Sequence, residues 1–129
     1  MMLPQPPAND EARKSMERLR RILVELAQTE TLATYKELAD RLGLTAPQTI
    51  HQLTGLLERL MAEDAEAGDP LLAALCIGRL RGALPAPGFF TTAETLGLFM
   101  GNPEGPEARD FHERELARIF GMYRRSRDG

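Results

Sequence analysis

The chain has one cysteine, no tryptophan, two tyrosines and two histidines among its 129 residues. A single thiol, Cys76, excludes an intramolecular disulfide framework. Two histidines in separate predicted helices, His51 and His112, leave little for metal ligation or general base catalysis. No apolar run approaches the roughly 18 residues that a membrane-crossing helix needs. There is no phosphate-binding glycine motif, and the prolines of GALPAPG (82–88) remove amide donors that such a cradle requires. A basic excess is also missing: 16 Lys and Arg stand against 19 Asp and Glu, for a net charge of -3. That balance disfavours strong nonspecific attraction of the whole molecule to nucleic acid, while a local basic face stays open. These absences point to a noncatalytic protein without cofactor or metal, housed in a reducing cytoplasm. The first residues carry three prolines and no apolar stretch, so they are not expected to act as a signal peptide.

What is present is one domain's worth of chain, with 43% hydrophobic residues. Residues 1–10 read as a flexible tail because proline opposes a helix there. Residues 11–123 read as a single domain, and 124–129 as a basic tail. Within the domain, Met16, Leu19, Ile22, Leu23 and Leu26 recur at helical spacing and predict a helix over 11–28. Its outer face carries Arg13, Lys14, Arg18, Arg20 and Arg21 against Glu11, Glu17 and Glu25, which reads first as a solvated face and, as the alternative, as a phosphate-contacting one.

Thr34 and Glu37 have the spacing of a capping box, predicting a short helix over 34–42 that Gly43 stops. Thr45 and Gln48 repeat that spacing and predict a third helix over 46–66, with Ile50, Leu53, Leu57, Leu60 and Met61 inward. Its end is acidic, with Glu63, Asp64, Glu66 and Asp69 read as a solvated terminus. The apolar run 71–77 suggests a buried strand, 78–88 a loop, and Phe89 and Phe90 the start of a return strand. Thr91 and Glu94 suggest a further capped helix to Phe99. Residues 107–123 form a last helix, with Ala108, Phe111, Glu115, Ile119 and Phe120 near one side.

Helix, helix, glycine turn, helix, strand, loop, strand is the order of a winged helix. The expected fold is therefore mainly α with a small β-hairpin: a winged helix-turn-helix with an added C-terminal helix. TYKELADRLGLTAPQTIHQL (34–53) carries this expectation, with small Ala39 where two helices would cross. Such a fold offers the third helix to the major groove of double-stranded DNA. Gln48, Thr49, His51 and Gln52 would then face bases or phosphates. Lys36 and Arg41 would touch phosphates from the second helix, and Arg79 and Arg81 would reach a backbone or a minor groove from the wing. The alternative use is a protein partner at the apolar segment Leu84, Pro85, Pro87, Phe89 and Phe90. Pairing of terminal helices offers a homodimer.

TYKELADRLGL, followed by a third helix and a strand, resembles the DNA-binding domain of alkylguanine-DNA alkyltransferases and their alkyltransferase-like relatives. Those proteins open the region with T-Y-x-x-L-A and later carry Pro-Cys-His-Arg or Pro-Trp-His-Arg. The resemblance covers roughly residues 34–88 and implies a winged-helix scaffold for DNA. Here Cys76 sits in A-L-C-I-G-R without the flanking Pro and His, so alkyl transfer does not carry over. PLLAALCIGRLRGALPAPGFF (70–90) with FHERELARIF (111–120) resembles small bacterial winged-helix proteins of unassigned function, which implies a bacterial source and no particular activity.

Overall fold

The computed structural model describes residues 10–79 and 82–128. The order is α1 (Asp10–Gln28), β1 (Ala33–Thr34), α2 (Tyr35–Leu42), α3 (Thr49–Ala67), a 3₁₀ turn (Leu72–Leu75), β2 (Cys76–Ile77), α4 (Pro87–Thr95) and α5 (Pro106–Asp128). The protein is mainly helical with a small two-stranded parallel sheet, in which Ala33 pairs with Cys76 and Thr34 with Ile77. No helix among the described residues is long and apolar enough to cross a membrane.

The apolar stripe of α1 turns inward as its spacing requires: Met16, Leu19, Ile22, Leu23 and Leu26 are all buried. The Thr34 capping box forms in full. Thr34 Oγ1 accepts from the Glu37 amide, and the Glu37 carboxylate accepts from the Thr34 amide. Hydrogen bonding to Thr34, its backbone amide first, holds the Glu37 carboxyl below its ordinary range. Gly43 ends α2 in the left-handed conformation that a side chain disfavours, its amide bonded back to Ala39 and Asp40. Arg18 reaches across from α1 and donates to the carbonyls of Leu42 and Arg41, satisfying the end of α2.

The middle of the molecule is the segment from Leu71 to Cys76, buried throughout. It packs against α1, α3 and α5. The expected strand shrinks here to Cys76–Ile77, preceded by the 3₁₀ turn. An irregular buried backbone needs partners for its polar groups. Three buried side chains supply them. Glu115 accepts from the Leu71 amide at 2.9 Å, Asp64 accepts from the Leu72 amide at 3.1 Å, and His112 Nε2 donates to the Ala74 carbonyl at 2.8 Å. Asp64 also accepts from Arg20, and Glu115 from Arg118, so each buried carboxylate meets a cation. Asp64 is thus a core residue, not part of a solvated helix end; it continues the inward stripe of Leu53, Leu57, Leu60 and Met61.

The expected return strand is absent. Phe89 and Phe90 lie in α4, and β2 pairs with β1 instead of with them. The cause is local: Pro87 is preorganised for a helical first turn, and Pro85 and Pro87 cannot donate to a ladder. Thr91 lies in the second turn of α4, bonded back to the Pro87 carbonyl, so the Thr91–Glu94 capping box does not form. Phe89, Phe90, Phe99 and Phe111 pack as one aromatic cluster, with ring centroids 5.1 to 6.5 Å apart. At the far end, α5 stays helical to Asp128 through the stretch expected to be a tail.

Candidate nucleic-acid interface

The turn between α2 and α3 sets the tip of α3. Gly43 turns the chain, the Ala46–Pro47 peptide is cis, and Gln48 adopts a left-handed conformation at φ 58. The Thr45–Gln48 capping box is therefore not made. Gln48 has no side-chain cap bond, and α3 begins at Thr49. Gln52 takes over the ordering of this turn, with its amide nitrogen donating to the carbonyls of Thr45 and Pro47 at 3.0 and 2.8 Å. A side chain committed to its own backbone is not available to read a base, so Gln52 moves from a contact residue to a positioning one.

Gln48, Thr49, Ile50 and His51 share one shallow hollow of about 440 Å³ at the tip of α3. Ile50, expected in the buried stripe, is 46% exposed. It precedes Leu53, the first buried residue of α3, and so projects past the end of the core. Three of the residues assigned to DNA are thus brought together, with an apolar neighbour that periodicity alone places inside.

The cations assigned to phosphates divide. Lys36 pairs with Asp40 one turn away at 2.9 Å, and Arg41 with Glu25 of α1 at 3.4 Å. Acids are therefore interleaved on the α2 side, and these two side chains are partly neutralised where they stand. Arg79 is exposed on the loop after β2. That loop is closed by the Gly78 amide on the Leu84 carbonyl and anchored by the Ala86 amide on the Tyr35 hydroxyl. Arg81 lies outside the described residues. No acidic residue occurs between Asp40 and Glu58, so the whole turn and the first half of α3 are free of negative side chains. The first turn of α3 carries none either, which leaves its amide end open to an anion.

The apolar segment assigned to a protein partner is not a surface. Pro85, Phe89 and Phe90 are buried and Leu84 is half-buried, leaving Pro87 exposed. The two phenylalanines fill the core because α4 is laid against α5 by the aromatic cluster.

Cys76 is fully buried in β2, and burial pushes its thiol well above the ordinary range, so the nucleophilic thiolate is disfavoured. His112 is spent on the Ala74 carbonyl inside the core. Among the described residues no group of three or more His, Cys, Asp or Glu converges on a possible metal position.

Two further basic residues flank the α3 face: Lys14, on the α1 face whose alternative reading is phosphate contact, and Arg59, on the second half of α3, which sequence reasoning leaves aside. The signal that finds Arg59 is its spacing from Gln52 and Gly55, which puts all three on one side of the helix. The chain matches no protein-family model, no curated protein and no solved structure.

Proposed function

We propose that this chain is a noncatalytic DNA-binding protein of winged-helix type, with the tip of α3 as its recognition element and the 78–86 loop in the place of a wing. The observation that carries the reading is the stretch between Asp40 and Glu58. It contains no acid and includes a surface cluster of exposed Gln48, Ile50 and His51 with half-buried Thr49. A helix end of that composition presents donors, acceptors and one apolar group to base edges, with its amide end toward phosphates. β1 before α2 and β2 after α3 bracket the two helices, as strands bracket the recognition helix in winged proteins. A transcriptional regulator is the role that this reading implies.

The test is fluorescence anisotropy with a labelled generic duplex at about 50 and 200 mM salt. Micromolar binding that weakens steeply with salt, and that is reduced in Thr49→Ala and His51→Ala, supports the proposal. Absence of binding at the lower salt overturns it, as does binding indifferent to both substitutions.

A further inference from the structure

A groove of about 780 Å³ runs between the first turns of α1, the Gly43–Thr45 turn and the outer side of α3. Its leucines, Leu42, Leu44 and Leu56, are buried or half-buried by the chain itself. Around them stand the cations Lys14 and Arg18 on one wall and Arg59 on the other, against the single acid Glu11 among the described residues lining it. None of the large exposed hydrophobics, Ile50, Leu98, Met100 and Met122, lies in it. Three cations against one acid give the groove a net positive lining that suits an anion. Arg18 is already bonded to the carbonyls that end α2. Lys14 and Arg59 have no ion pair among the described residues.

Gly55 is the second observation. It sits inside α3 on this groove, where glycine disfavours the helix relative to alanine. Nothing in the folded chain demands it, because a Cβ there would meet no atom within 4 Å. The missing side chain leaves the helix backbone open to something outside. Gly121 of α5 is similarly unhindered, but the hollow beside it holds one cation, Arg118, already spent on Glu115 and the Gly68 carbonyl. Gly88 of α4 is unhindered too, but no cation lines the hollow beside it, so of the three helical glycines only Gly55 joins an open backbone to uncommitted positive charge.

We infer that this groove seats the sugar–phosphate backbone of one DNA strand, with Lys14 and Arg59 on neighbouring phosphates and Gly55 allowing the close approach. The inference rests on the DNA reading above. Spacing agrees with it: His51 and Arg59 are eight residues apart, about 12 Å along the helix axis. The major groove is about 8.5 Å deep, so with the tip at the base edges Arg59 stands back at the level of the bordering phosphates.

The test uses the full chain, a labelled generic duplex, and the variants Lys14→Gln with Arg59→Gln, Gly55→Leu and His51→Ala. Thermal melts accompany each. The double variant is expected to bind about tenfold more weakly, and its log K against log salt slope is expected to fall by about 2, roughly one for each phosphate no longer neutralised. Gly55→Leu fills the groove while improving helix propensity, so its expected signature is weaker binding with an unchanged or raised Tm. If His51→Ala abolishes binding while the groove variants bind like the parent, the groove assignment is wrong and the DNA reading stands. If the parent binds no duplex at about 50 mM salt, both fall. Binding of poly-glutamate in place of duplex, with the same loss in the double variant, would make the occupant an acidic protein and overturn the assignment.

Discussion

The segment from Leu71 to Cys76 and the turn from Gly43 to Gln48 are both irregular, but they handle their polar groups in opposite ways. The first is buried, and its backbone is served by Glu115, Asp64 and His112 reaching in from α5 and α3. The second is exposed, held by Gln52 and Arg18, and bordered by Lys14 and Arg59, which have no ion pair among the described residues. Inside, a polar group without a partner costs stability, so these backbone groups are matched to side chains. Outside, water tolerates an unpaired cation, so a free one is information about what approaches. Function is sought where the charge is uncommitted, and stability where it is committed.

That contrast can be broken from either side. The largest effect is expected in the aromatic cluster, where Phe90→Ala should cost about 4 kcal/mol in denaturant unfolding. Next, Glu115→Ala leaves the buried Leu71 amide unpaired and should cost about 2–3 kcal/mol. A cost near zero would show that the 3₁₀ turn does not depend on its side-chain partners.

His112 gives the comparison a pH axis. Burial, aided by the nearby Arg109 charge and opposed by the bond to Ala74, holds the imidazole pKa below its ordinary value of about 6.5. The folded state therefore binds fewer protons than the unfolded one, so stability is full above that value and is lost as pH falls below it. The parent protein should weaken between about pH 7 and 5. His112→Gln, which retains a donor for the carbonyl, should be less stable at neutral pH but show a shallower fall on acidification. Parallel curves for the two proteins would remove His112 as the cause.

Smaller still, Thr34→Ala removes one half of the capping box and should cost about 1 kcal/mol, read by thermal melting. At the bottom of the scale, Lys36→Ala breaks an exposed pair with Asp40 and should change neither Tm nor duplex affinity measurably. A clear loss of affinity in Lys36→Ala would show that committed surface cations still bind DNA.

How legible these features are in the sequence depends on range. α1, α2 and Gly43 are set by interactions within a few residues, and Thr34-x-x-Glu37 reads correctly because the helix begins where the motif does. The same spacing misleads at Thr45 and at Thr91, since the motif cannot say where a helix starts. Gln48 is left-handed before α3, and Pro87 starts α4 a turn early. Asp64 is readable from its place on the inward stripe of α3, but an acidic neighbourhood conceals it. Phe89 and Phe90 read as strand only when Pro87 is passed over as a helix start; what the local pattern does not see is where they pack, against Phe99 and Phe111 on later parts of the chain. At the site, the outward positions at the tip of α3 are legible. Lys14 and Arg59 are each legible on one side of their own helix, but their convergence is not, because only the fold brings α1 and α3 to the same groove.

The most direct measurement is an amide NMR titration of the full chain with a generic duplex. Shifts are expected at residues 43–59 and at Lys14 to Arg18, with Leu71 to Cys76 and the aromatic cluster unmoved. Shifts centred on the exposed Leu98 and Met100, or none at all, would contradict the proposed interface.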